Sequence, residues 1–294
     1  MTPPPPTSSA GQLRAGAEAA SASLPALMLS AERLAASLTV GAHGQRRAGT
    51  GEDFWQYRPA TQGDTARNID WRRSGRSDGQ FVRDREAQVA QSAVIWVSGA
   101  AGMQFTGGPD RSSKRDRADL LALALSLALL AGGERVAIAG NPPRPGRVQA
   151  DRIAETLVRR VALTTDEDAP PVDGMRPNQR IILIDDFLGD PAPVLACLNR
   201  AAGMGVQGAL LQVLDPTEES FPFGGAVLFR SASGALSHDT RDAAGLRDAY
   251  LARLAERRQM LTQAAQVAGW HFGTHDTAQQ PSQALTWLWT VLEG

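Results

Sequence analysis

The sequence predicts an α/β fold over residues 92–294, a doubly wound, mostly parallel sheet with helices on both faces. Two observations carry this. Short apolar runs alternate with helical stretches of 10 to 15 residues, the pattern of βαβ units. The apolar runs also lack polar alternation, as strands do when a parallel sheet is covered on both faces.

The elements follow in order. Ala93-Val94-Ile95-Trp96-Val97 is a short apolar strand ending at Ser98-Gly99, followed by a helix over about 116–131. Arg135 to Ala139 is a second strand, and a helix is expected over about 150–163. Arg180 to Ile184 is a fully apolar strand that ends at Asp185-Asp186. A helix over about 191–202 leads to a strand at Gln207 to Leu214, stopped by Asp215-Pro216. Ala226 to Phe229 reads as an edge strand, 240–268 as a long helical stretch, Trp270 to Phe272 as a last strand and 282–293 as a last helix. Ligands of such a sheet sit beyond the C-terminal ends of its strands.

The N-terminal third is an extension of helix and short strands. Residues 1–11 carry four consecutive prolines and read as an extended, disordered tail, or as a polyproline ligand for a partner. Residues 12–38 are rich in Ala and Leu and read as helix, interrupted or restarted at Pro25. Residues 52–90 have no clean period. Phe54, Trp55 and Tyr57, then Phe81 and Val82, suggest short strands joined by polar turns. The helix and this block, 12–91 together, are expected to pack on the α/β core, with Trp71 largely buried and Asp70 accepting hydrogen bonds.

Composition excludes several classes. With 43% hydrophobic and 21% charged residues in 294, the chain is not disordered throughout. A net charge of -1 argues against a generally nucleic-acid-binding surface. Between residues 46 and 86, nine arginines are nearly cancelled by seven acids, which suits an ion-paired lattice or a protein-docking surface better than a polyanion site. Of the 30 basic residues only Lys114 is lysine, and it stands in Ser113-Lys114-Arg115, so a Gly-Lys-Ser/Thr phosphate loop is absent. Cys197 is the sole cysteine, which fits a reducing compartment. No basic-then-apolar leader opens the chain, and the apolar run Leu120 to Ala131 falls short of the roughly 20 residues that cross a bilayer. The expectation is a soluble cytoplasmic protein without membrane insertion.

Candidate sites are few. Gly203-Met204-Gly205-Val206-Gln207-Gly208 has the G-x-G-x-x-G spacing, but a helix precedes it and a strand follows, so the glycines read as a helix cap and a turn. Asp185 and Asp186 stand at the rim of the predicted crevice. They could hold magnesium, or could simply hydrogen-bond across the rim. His271 and His275 are expected on a strand and a loop, on different faces, as structural histidines. No G-x-S-x-G elbow supports a hydrolase.

Gly51-Glu52-Asp53-Phe54-Trp55-Gln56-Tyr57-Arg58, Gly63-Asp64, Arg67, Ile69-Asp70-Trp71 and Arg83-Asp84-Arg85-Glu86 resemble the domain-of-unknown-function 58 family. The resemblance continues through Lys114, Arg135-Val136, Asp185-Asp186-Phe187-Leu188, Asp215-Pro216-Thr217-Glu218, Pro222-Phe223-Gly224-Gly225, Tyr250 and Gly269-Trp270, with Ala60 where the family tends to have Tyr. It implies a von Willebrand factor A-like fold. Such folds often hold a metal through a D-x-S-x-S stretch after the first strand and an Asp after the fourth. Here those positions fall on Ser98, Ala100, Gly102 and Asp186, so the resemblance implies a degenerate metal site and no cofactor. It also implies partnership with a MoxR-type AAA+ ATPase. The expected function is a non-enzymatic protein-binding module, with Arg58, Asp64, Arg67, Asp70, Trp71, Ser98, Asp185 and Asp186 as binding residues. The alternative is a magnesium-dependent adhesion or chaperone module using Asp185 and Asp186.

Overall fold

The computed structural model describes residues 23–38, 45–49, 53–60, 69–76, 79–89, 91–160, 165, 168–231, 233–235 and 237–293. The chain divides into two compact units, one of Ala42–Gln91 and one of Met1–Gly41 with Ser92–Gly294. The Pro-rich tail at 1–11, Asp64 and Arg67 lie outside the described residues.

The larger unit is an α/β layer. Its elements are α1 (23–35), β4 (Ser92–Val97), α3 (Lys114–Ala131), β5 (Arg135–Ile138), α4 (Arg147–Arg159), β6 (Gln179–Asp185), α5 (Ala192–Gly203), β7 (Gln207–Leu214), α6 (Pro216–Ser220), α7 (Arg247–Val267), β10 (His271–Asp276) and α8 (Pro281–Glu293). The five strands pair in the order β10-β7-β6-β4-β5, all parallel. The core strands come from the apolar runs of the sequence, and residues alternate between two apolar layers. Ala93, Ile95, Val97, Ile182 and Ile184 face α3, α4, α8 and α1, whereas Trp96, Ile181, Leu183 and Leu210 face α5 and α7. Helix α1, grouped on sequence with the signature block, joins the first layer through Ala31 and Ala35, and the turn after it through Leu38.

One connection departs from the simple βαβ pattern. A right-handed crossover from β5 to β6 needs its covering element on the second face. Helix α4 instead packs beside α3 on the first face. The chain reverses after β5, making an antiparallel bridge between Val136 and Arg144 before α4 begins. Residues 168–178 then lead to β6 without a helix, and Met175 packs on the second layer. Among the described residues no helix covers that stretch, and a cavity of about 450 Å³ lies over Val94, Trp96, Ile181 and Leu183.

Ala226 to Phe229, expected as an edge strand of the main sheet, is not part of it. β8 (Val227–Arg230) pairs antiparallel with β9 (Ser237–Thr240) in a separate two-stranded sheet. Phe229 stacks on Phe221, which also stacks on Tyr250, so an aromatic cluster, not the sheet edge, anchors this hairpin.

The smaller unit is an antiparallel three-stranded sheet in the order β1-β3-β2, from β1 (Gln45–Gly49), β2 (Asp53–Pro59) and β3 (Phe81–Val89). Arg58 lies in β2, paired with Val82. Before β3 comes one helical turn, α2 (Trp71–Ser74), with Asp70 as its N-cap accepting from the Arg72 and Arg73 amides at 3.1 and 3.0 Å. The Asp70 amide donates to the Phe81 carbonyl, and the Phe81 amide to Ser74 Oγ. These bonds tie the turn to the sheet by its backbone, so Trp71 is left outside. It is 59% exposed, which corrects the expectation that it is largely buried.

The Gly203–Gly208 segment serves as the sequence suggests. α5 ends at Gly203, Gly205 takes φ 65°, and β7 follows at Gln207. A Cβ on Gly208 would stand 2.0 Å from the Ile181 carbonyl oxygen, so only glycine lets β7 approach β6 there.

Candidate functional site

In chain order the sheet grows from β4 outward to β5, then returns to the other side of β4 with β6. The two connections leave in opposite directions, which opens a crevice between the C-terminal ends of β4 and β6. Register places Val97 opposite Ile184, so Ser98 and Asp185 are the first residues past the paired ends.

The Ser98 amide donates to the Ile184 carbonyl, and its Oγ accepts from the Ala100 amide at 3.2 Å. The Gly99 amide donates to Asp168 Oδ2 at 2.7 Å. Gly102 sits so close to Asp186 that a Cβ there would stand 3.0 Å from Asp186 Oδ2. Ser98, Ala100, Gly102, Asp185 and Asp186 are thus brought together, as the sequence reading placed them. Arg58, Asp70 and Trp71 belong to the smaller unit.

The centre of the crevice is a residue whose position sequence reasoning passed over. Lys114 is the first residue of α3, after a capping box in which Ser113 Oγ accepts from the Asp116 amide and Asp116 reaches back. Its side chain is 1% exposed. Lys114 Nζ donates to Asp186 Oδ2 at 2.8 Å and to Glu218 Oε1 at 2.7 Å. The Phe105 ring covers it, its centroid 5.7 Å from Nζ. Burial pulls the ammonium toward neutrality, but Asp186 and Glu218 outweigh this and raise its pKa. Burial raises the Glu218 carboxyl, and its share of the Lys114 charge only partly opposes that. Two short charge-assisted bonds favour the charged form of the ammonium.

Both carboxylates are held from behind. Asp186 Oδ1 accepts from the Leu188 amide at 3.0 Å, and its carbonyl accepts from Gln212 Nε2 at 2.7 Å. Glu218 Oε2 accepts from the Asp215 amide at 2.9 Å, closing the capping box of α6. Asp215 is fully buried. It accepts from the Thr217 amide and hydroxyl and from the Gly107 amide, and lies 3.4 Å from Arg111. Those contacts outweigh burial and hold its pKa down. A Cβ on Gly107 would lie 2.3 Å from Asp215 Oδ1, so the loop before α3 docks there only with glycine. Arg258 completes the layer, donating to Gln212 Oε1 and pairing with Glu219.

Asp185 is different. Burial first, then the neighbouring Asp186, raise its pKa to about 8, against bonds from Ser98 and from the Asp186 and Phe187 amides. Burial and the adjacent carboxylate thus favour its neutral form. Its Oδ1 is buried with no hydrogen-bond partner among the described residues. A cavity of about 20 Å³ adjoins it, lined by Ala100, Asp168, Asp190 and Arg257 among others, enough for one water.

Such a crevice does not suit the divalent cation that the fold resemblance implies. Magnesium needs several oxygens in near-octahedral array. Asp186 Oδ2 already receives the Lys114 ammonium, and positions 100 and 102 bring no side-chain oxygen.

His271 and His275 both lie in β10, so they share a face, contrary to expectation, but four residues of strand separate them by about 13 Å. His275 is buried with Nε2 2.8 Å from an Arg117 nitrogen, and burial, then Arg117, lower its pKa to about 4. It is a structural, neutral histidine.

The fold and crevice define an α/β protein with a parallel five-stranded sheet and a polar cluster at its switch point. Comparison places it further: residues 56–260 match the family described as "Protein of unknown function DUF58", and the chain belongs to that family. Relatives described as uncharacterized proteins, from Mycobacterium bovis and from Mycobacterium tuberculosis, are each 27% identical over 225 residues, which is 71% of this chain and 70% of theirs. A solved structure of an aerotolerance-related membrane protein from Bacteroides fragilis is 16% identical, with a TM-score of 0.40, over 69% of this chain and 98% of that one. No helix among the described residues is long and apolar enough to cross a membrane.

Proposed function

We propose that this chain is a non-enzymatic protein-binding module of the von Willebrand factor A-like type, working in the cytoplasm with a MoxR-type AAA+ ATPase. The fold type is supported by the parallel sheet with one antiparallel bridge, Val136 to Arg144, at its β5 edge. A reversal at that edge lets α4 lie beside α3 without a left-handed crossover. The partner class comes from the family resemblance.

One observation carries the binding reading. The crevice closes its charges on one another, while its rim presents apolar side chains to solvent. Phe105 is 37% exposed and Leu188 38% exposed, one before Lys114 and one after Asp186. The Tyr250 hydroxyl is pushed up to about 12 by burial and then Glu218, so it is not an activated nucleophile. Exposed apolar residues around a rigid polar floor suit a protein contact.

The magnesium-dependent alternative draws on one observation, the unpartnered Asp185 Oδ1. It requires the Lys114 ammonium to leave Asp186.

Sedimentation of the purified chain with the MoxR-type ATPase of the same genome tests the proposal. A complex at micromolar concentration is expected, weakened at least about tenfold by Leu188→Glu, the loss of one interface anchor. No complex, with or without nucleotide, sinks the partner. A complex indifferent to Leu188→Glu and Phe105→Glu sinks the rim as its surface.

A further inference from the structure

Lys114 stands against two local preferences. It is the first residue of α3, where the helix dipole disfavours a cation. It is also the single lysine in a chain that otherwise uses arginine. Both exceptions have one explanation. Asp186 Oδ2 and Glu218 Oε1 converge on a point, at 2.8 and 2.7 Å from Nζ. A compact point charge fits between two such oxygens and stands where a small cation would, whereas a guanidinium spreads its charge over a planar fork.

We propose that the Lys114 ammonium is a permanent, tethered cation at a latent divalent-cation site, and that its removal opens that site to Mg²⁺ or Mn²⁺ at Asp186 and Glu218. The two carboxylates are preorganised independently of the lysine. Asp186 is fixed through Oδ1 by the Leu188 amide, and Glu218 through Oε2 by the Asp215 amide. Each keeps its other oxygen directed at the shared point when Nζ is gone. Metal–oxygen distances of about 2.0 to 2.6 Å require only a small inward shift from the ammonium distances. Truncating the buried lysine stem leaves room for the ion and its waters. In the native chain the crevice is therefore always charge-filled and does not respond to divalent-cation concentration. Nothing in this depends on the ATPase, which is absent from the test.

Mn²⁺ binding to the full chain, read by electron paramagnetic resonance, decides the matter. The wild type is expected to show no saturable site tighter than about 10⁻³ M. Lys114→Ala should gain one site per chain with a dissociation constant of about 10⁻⁴ M, at least tenfold tighter than wild type. Glu218→Gln added to that variant should remove the site, and Lys114→Arg should not create it. Mn²⁺ should also raise the melting temperature of Lys114→Ala and leave wild type unchanged, a readout that serves if the variant folds only with metal. Equal binding by wild type overturns the proposal. So does a folded Lys114→Ala that binds no ion, a site that survives Glu218→Gln, or failure of Lys114→Ala and Lys114→Ser to fold even with Mn²⁺.

Discussion

Replacing Lys114 by Met keeps the stem's apolar bulk and removes only the charge. The ammonium lies 2.8 Å from Asp186 and 2.7 Å from Glu218, and all three side chains are at most 15% exposed. At an effective dielectric of about 20, each contact is worth about 6 kcal/mol of gross attraction. Most of this offsets the cost of burying the ammonium and of holding two carboxylates together. The variant keeps that cost for the carboxylates and loses the attraction. Breaking a buried pair from one side costs about 3 to 5 kcal/mol, and two acids share the loss here, so the upper half of that range is expected near pH 7. Burial already raises the Glu218 carboxyl and loss of the ammonium raises it further, so the deficit should shrink as pH falls. Urea unfolding of wild type and variant at several pH values measures both. Adding Asp186→Asn and Glu218→Gln to Lys114→Met should recover much of the loss. A deficit under about 1 kcal/mol, typical of a surface pair, would refute the claim that this triad is buried and charged.

Three further outcomes follow from the geometry. Trp71→Ala should cost under about 1 kcal/mol in denaturant unfolding, because α2 buries none of its side chains; a loss of 3 kcal/mol would show Trp71 to be a core residue. Asp185 has its pKa raised to about 8, so its contribution is complete below about pH 4 and is lost as pH rises through 8. Wild type should accordingly lose stability relative to Asp185→Asn over that window, and parallel pH profiles would contradict the burial assigned to this carboxyl. Gly208→Ala should destabilise by about 1 to 3 kcal/mol or more, since its Cβ would meet the Ile181 carbonyl, whereas Gly224→Ala, with nothing within 4 Å, should stay within about 0.5 kcal/mol. Equal melting temperatures for the two alanine variants would refute the close approach of β7 to β6.

The strands of the core were legible because each is a run of apolar residues too short for a helix. Ile181 to Ile184 can be buried on both faces only in a covered parallel sheet. The crevice was legible for the same reason, since Ser98 and Asp185 end two such strands. What periodicity could not carry was anything set by long-range partners. β8 looks like a sheet strand until Phe221 and Tyr250 claim its Phe229. The reversal at Val136 and Arg144 is a single bridge, too short to leave a pattern. Trp71 reads as core by residue type, yet Asp70 and Ser74 hold its turn by the backbone and leave the ring outside. Lys114 did leave a signal, as a solitary lysine opening a helix, and Glu218 another, three residues after the Asp215 cap. Their meeting, 104 residues apart in sequence, required the fold.

If Lys114 supplies the cation of this crevice, as proposed, protein binding there needs no exchangeable metal. Affinity for the nucleotide-free MoxR-type ATPase, measured by biolayer interferometry in excess EDTA and again in Mg²⁺, tests that most directly. A micromolar complex of equal affinity in both buffers is expected. A complex that chelation weakens tenfold, about 1.4 kcal/mol, would contradict it.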